Sequence, residues 1–144
     1  MRLFIPGTPV QQGSLIPRVI FVKGRPRAVL HSHNSEGLKR WRKAVSAAVA
    51  AEMDALGMEG PLGPYVAISA VFQMPKPKTT KYPDYPGGTP DLDKLQRAVG
   101  DALTASGIVQ DDARIVRWHT DETWAGGLGS LSAEPGLWLE VTDR

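Results

Sequence analysis

The sequence predicts an α+β domain in which two main helices pack on a mixed β-sheet, and three observations carry that expectation. Apolar residues recur at the helical period between positions 38 and 56, they alternate between 66 and 74, and a second helical stretch follows position 91. In chain order, Arg2 to Ile5 reads as a short strand stopped by Pro6-Gly7-Thr8-Pro9. Pro17 to His31 reads as a hairpin, with Val19-Ile20-Phe21-Val22 and Arg27-Ala28-Val29-Leu30 as its arms and a turn near Lys23-Gly24. Asn34 or Ser35 can cap a helix running to about Leu56, with Leu38, Trp41, Val45, Ala48, Val49 and Leu56 on its apolar side and Gly57 as its stop.

Tyr65 to Met74 is the next strand, with Val66, Ile68, Ala70, Phe72 and Met74 on one face. The segment Pro75 to Pro90 then holds five prolines and two glycines together with Lys76, Lys78 and Lys81. A loop of this length is more often functional or mobile than idle. A helix from about Leu92 to Ser106 ends at Gly107, and Arg114 to Thr120 and Leu137 to Thr142 read as the last strands, on either side of the glycine-rich stretch Gly126 to Gly129. Phe21, Trp118, Trp124 and Trp138 are expected in the core, and His31, His33 and His119 read as scattered surface or sheet residues.

A chain of 144 residues suits one domain, taken here as 1–144, and its 42% hydrophobic and 22% charged content is ordinary for a globular protein. No apolar run is long enough to span a bilayer, and the first residues carry neither an h-region nor a cleavage site, so no membrane partner and a cytoplasmic location, in a bacterial or phage-infected bacterial cell, are expected. The absence of cysteine excludes a disulfide framework and a thiolate zinc site. The net charge of +2 conceals an asymmetry: residues 1–50 carry 9 Lys/Arg against 1 acid, whereas residues 84–144 carry 5 against 11. A basic surface for a polyanion beside an acidic pole would produce that pattern, and so would unevenly spread solvated charge.

The acidic residues gather in one stretch: Asp91-Leu92-Asp93, then Asp101, then Asp111-Asp112. If the chain is extended where it enters the helix, Asp91 and Asp93 project to one side and Leu92 to the other. Carboxylates so close repel each other unless a cation lies between them, and magnesium suits a few carboxylates plus water and phosphate oxygens. Each acid also has a purely structural reading. Asp93 with Gln96 forms a capping box, Asp111-Asp112 forms a turn, and Asp101 pairs with Arg97 one helical turn earlier. A helix of about 22 Å separates the two ends of the motif, so Asp112 joins the others only if the chain runs back along the helix or a strand carries it beside Asp91.

Pro90-Asp91-Leu92-Asp93-x-Leu95-x-Arg97-x-x-x-Asp101-Ala102-Leu103, followed by Gly107 and Asp111-Asp112, resembles the RusA-type Holliday-junction resolvases, whose signature reads approximately D-x-D-N-x-x-K-x-x-x-D-A-L and then D-D. Gly7-Thr8-Pro9 and Lys23-Gly24-Arg25-Pro26-Arg27 extend the likeness more loosely. The resemblance implies a homodimeric, magnesium-dependent endonuclease that nicks opposed strands of a four-way junction, with manganese as a substitute ion, in DNA recombination and repair. By matching position it makes Asp91, Asp93 and Asp112 the metal-binding carboxylates, Asp101 a supporting helix residue and Asp111 a neighbour. Two positions depart from the pattern: the family's Asn is Lys94 here and its Lys is Arg97. Arginine holds a phosphate oxygen bidentately and stabilises charge but does not readily donate a proton.

Hydrolysis on this reading uses metal on Asp91, Asp93 and Asp112 to acidify water and bind the phosphate, with Arg97 stabilising the developing charge and no histidine or organic cofactor required. Lys23, Arg25 and Arg27 on the hairpin, Lys76, Lys78 and Lys81 in the loop, and Lys94 become DNA-backbone contacts. The cluster Lys39, Arg40, Arg42 and Lys43 reads as the solvated side of a helix. Phe21, Tyr82 and Tyr85 are aromatic groups that stack on unpaired bases if exposed. A non-catalytic junction- or DNA-binding protein with a degenerate site is the alternative, supported by Lys94 and Arg97, and a metal-dependent nuclease without junction preference differs only in substrate.

Overall fold

The alternating run around residue 70 becomes an inner strand of a four-stranded sheet, with one antiparallel and one parallel neighbour. The computed structural model describes residues 1–13, 15–32 and 35–144. Its elements are β1 (Arg2–Pro6), β2 (Leu15–Val22), β3 (Arg25–Ser32), α1 (Ser35–Ala55), β4 (Val66–Met74), α2 (Leu92–Ser106), β5 (Ile115–Trp124) and β6 (Gly136–Asp143). The sheet order is β1-β6-β4-β5, antiparallel except for β4 with β5, and β2 and β3 form a separate two-stranded ribbon. The α+β class with two helices on a mixed sheet is therefore the observed one.

Both helices lie on one face of this sheet because the strands alternate in phase. Ile68, Ala70 and Phe72 of β4 stand opposite Val141, Leu139 and Leu137 of β6, and all six are buried. Trp41, Val45, Val49 and Met53 of α1 and Leu95, Val99, Ala102 and Leu103 of α2 close over them. α1 and α2 are also joined across their polar edges by Arg42 Nη1 and Asp101 Oδ2 at 3.5 Å. The expected Arg97–Asp101 pair is thus replaced by one that ties the two helices. Leu56 corrects the expected apolar side of α1: it lies past the helix end and is exposed, while Met53 fills the core instead. Gly57 stops the helix with a positive φ of 66°, and the expected cap at Asn34 and the position of His33 lie outside the described residues.

The β2–β3 ribbon turns through Lys23 and Gly24, both with positive φ (52° and 73°), as a tight two-residue hairpin requires. Residues 17–29 are all exposed. Phe21, expected in the core, is 73% exposed opposite Pro26 near the turn, because the ribbon stands away from the helix-covered face and offers nothing to bury it. Of the tryptophans, Trp124 is buried and Trp118 packs against the core, whereas Trp138 stacks on Phe4 at 4.9 Å on the opposite sheet face.

The long segment 75–90 is folded against its own aromatics. Trp124 Nε1 donates to the Tyr82 carbonyl at 2.8 Å, Lys76 Nζ donates to the Pro83 carbonyl at 2.6 Å, and a Cβ on Gly87 would lie 2.6 Å from the Tyr82 ring. At the far edge, a Cβ on Gly136 would lie 2.5 Å from the Ile5 carbonyl oxygen, where β1 pairs with β6. Backbone cannot move aside as a flexible side chain can. Gly136→Ala is expected to destabilise the fold by about 1–3 kcal/mol, the usual scale of overpacking, as read by urea unfolding.

Candidate active site

The connection from β4 to β5 runs through α2, and the acids of interest all lie on it or at its ends. Asp91 is the N-cap residue of α2, extended at φ −87° and ψ 133°, but its side chain caps nothing. Leu92 and Asp93 are already helical, so the expected extended Asp91-Leu92-Asp93 and the Asp93 capping box are both absent. The helix start is held from outside instead. The Asp91 amide donates to Gln11 Oε1 at 2.6 Å, and the Gln12 amide donates to the Lys94 carbonyl at 3.0 Å.

Helical spacing then sorts the carboxylates. Asp93, Gln96, Arg97 and Gly100 lie along one side of α2 and, with Asp112, Ile115 and Trp118, line a cleft of about 220 Å³. Gly100 is buried in α2, and the space beside it is taken by Ile115 and Trp118, 3.8 and 3.9 Å from where a Cβ would be. Farther along the strand, Gln96 Nε2 donates to Thr120 Oγ1. The helix and β5 therefore run in opposite senses, and the chain's return after Gly107 carries Asp112 to the middle of the helix rather than to its start.

The Asp111-Asp112 pair divides its labour. Asp111 Oδ1 accepts the Ala113 amide at 2.9 Å and caps the single 3-10 turn Asp112–Arg114 that leads into β5. The turn reading holds for Asp111, and it leaves the Asp112 side chain to line the cleft. At the other end of the helix, Asp91 Oδ2 meets Lys94 Nζ at 3.0 Å, an ion pair across the substituted position of the motif.

The opposed run of α2 and β5 also brings in a residue that no sequence motif marks. Glu122 stands opposite Phe72 and shares the inward phase of Trp118, Thr120 and Trp124 on β5. Burial pushes its carboxyl up to about 7, and the negative charge of Asp91 pushes in the same direction. Its Oε1 is buried and has no hydrogen-bond partner among the described residues. A glutamate in phase with two tryptophans on an inward face was the signal available in the sequence.

Among the described residues no three His, Asp or Glu side chains are gathered closely enough to enclose a metal ion. The carboxylates stand instead as two sets, Asp93 with Asp112 in the cleft and Asp91 beside Glu122. Magnesium requires only one or two carboxylates and keeps several waters. An all-oxygen donor set with one buried, unpartnered carboxylate oxygen fits such an ion.

The basic candidates are distributed over two other regions. Lys23, Arg25 and Arg27 are exposed on the ribbon; Lys78 and Lys81 are exposed in the 75–90 segment, where Lys76 is engaged with Pro83. Lys39 pairs with Glu36 at 3.6 Å on the solvated side of α1.

The family model for the endodeoxyribonuclease RusA matches residues 9–131, from the segment that latches α2 to beyond β5. The fold and the cleft thus belong to a nuclease class, and the chain is a member of the RusA endodeoxyribonuclease family. A comparison with curated proteins returned no match. No helix among the described residues is long and apolar enough to cross a membrane.

The raised Glu122 carboxyl carries a sign. Its proton is held more tightly in the folded protein than in the unfolded chain, so the associated stability is fully present below about pH 4.5 and is lost as pH rises through about 7. Metal-free protein is expected to melt at progressively lower temperature between about pH 5 and about pH 8, and Glu122→Gln is expected to flatten that slope. Calorimetric melting in a chelator across that range measures both.

Proposed function

We propose that the chain is a magnesium-dependent, structure-selective endonuclease that resolves four-way DNA junctions by paired nicks in recombination and repair. The observation that carries the reading is the cleft in which Asp93 and Arg97 of α2 meet Asp112 at the start of β5, in a member of this family. Asp91, Asp93 and Asp112 would hold the cation. When bound, a divalent ion supplies positive charge at the scissile phosphate and a more acidic water. Arg97 offers a planar, permanently charged fork to the phosphate oxygens as negative charge develops. Trp118 and Ile115 wall the cleft with apolar surface and limit water at the reacting centre.

A four-way junction has approximate two-fold symmetry, and two sites related by an isologous dimer match its two opposed nicks. Lys23, Arg25, Arg27, Lys78 and Lys81 are exposed for backbone phosphates, with Lys94 and Lys76 nearer the site. Phe21 and Tyr85 are exposed for stacking on unpaired bases. Manganese, with the same preference for oxygen donors, would substitute for magnesium.

Asp93→Asn and Asp112→Asn are each expected to reduce magnesium-dependent nicking of a synthetic four-way junction by about 100-fold or more, with junction binding retained. Full activity in either variant removes the proposed site. Linear duplex and flap substrates assayed alongside separate junction selectivity from general nuclease activity. Replacing Lys23, Arg25 and Arg27 together by Ala is expected to weaken binding and flatten its salt dependence by about 0.9 in log–log slope for each phosphate no longer neutralised. An unchanged slope would take the ribbon out of the DNA interface.

A second reading has one observation in its favour. The Lys94–Asp91 pair at 3.0 Å balances Asp91 with a side chain, as a non-catalytic junction-binding protein would allow. That reading expects binding without cleavage in magnesium or manganese.

A further inference from the structure

Three features of β5 and α2 converge on Glu122. The strand presents Trp118, Thr120, Glu122 and Trp124 on its inward phase, and the other three find packing or a hydrogen bond there. The helix runs along the strand in the opposite sense, Gly100 against Ile115 and Trp118 and Gln96 against Thr120, so the next group along is Asp91. Glu122 Oε1 is closed off from solvent and without a hydrogen-bond partner among the described residues, with a second carboxylate as its electrostatic neighbour. A carboxylate placed this way is costly unless something positive shares the space, because burial removes its water and Asp91 adds repulsion.

We infer that Glu122 is a direct carboxylate donor to the divalent cation of this site, acting beside Asp91 and lying outside the Asp91-x-Asp93 and Asp111-Asp112 motif. The inference rests on the endonuclease reading above and extends its donor set. It assigns the two sets of carboxylates a common purpose: Asp93 and Asp112 face the cleft, while Asp91 and Glu122 hold the cation from the helix start. It also gives Lys94 a definite part, since its ammonium group offsets Asp91 when no metal is present. Glutamine at position 122 keeps the size and polarity of the side chain and removes the charge that a cation requires.

The test is titration of the full chain with Mn2+ alone, followed by isothermal calorimetry and by electron paramagnetic resonance of the free ion. Wild type, Glu122→Gln and Asp93→Asn are compared, and each is also melted with and without Mn2+. Glu122→Gln is expected to bind Mn2+ at least about tenfold more weakly and to lose most of the metal-induced rise in melting temperature. Its metal-free melting temperature is expected to equal or exceed that of wild type, which establishes that the variant folds. Wild-type Mn2+ affinity in Glu122→Gln, with weakened affinity in Asp93→Asn, overturns the inference and leaves the endonuclease reading in place. Absence of Mn2+ binding and of nicking in the wild type overturns both.

Discussion

Helix α2 can lie close along β5 because position 100 has no side chain. Ile115 and Trp118 occupy the space that a larger residue would claim, and the helix and strand then stay in register down to the Gln96–Thr120 hydrogen bond. Everything chemically interesting depends on that approach. It carries Asp112 to Asp93 and Arg97 at mid-helix and Asp91 to Glu122 at the helix start. The parallel pairing of β4 with β5 imposes it, since two parallel neighbours need a crossover and α2 is that crossover.

The elements legible in the sequence are those whose periodicity is enforced by one dominant surface. β4 alternates because one face is fully buried, and α1 and α2 repeat their apolar residues because each packs one side onto the same sheet. The ribbon is legible as a hairpin from its Lys23-Gly24 turn, but the fate of its side chains is not. Phe21 and Val19 have the composition of a buried strand, and only tertiary placement leaves them in solvent. β5 reads too short in sequence because His119, Asp121 and Glu122 dilute its apolar signal, and its pairing with β4 extends it to Trp124.

The same contrast applies to the acids. Spacing identifies Asp91, Asp93 and Asp112 as a motif, and resemblance supplies their expected roles. Which of them share a space is set by the sense of the helix relative to β5, a relation between segments distant in sequence. Asp111 and Asp112 are identical in type and adjacent in chain, yet one closes a turn and the other faces the cleft because only Asp111 reaches the Ala113 amide. Glu122 carries no motif at all, and it matters because the strand's inward phase takes it to Asp91.

The exposed ribbon has a consequence for how such a protein diversifies. A two-stranded hairpin standing alone is marginal in water, so its apolar and basic side chains are free of the packing rules that govern the rest of the chain. The crossover that holds the carboxylates obeys those rules at almost every position. Changes between residues 17 and 29 can therefore retune which nucleic-acid shapes are gripped, while the hydrolytic machinery is inherited intact. Selectivity and chemistry occupy separate stretches of chain, and each can be remodelled without reopening the other.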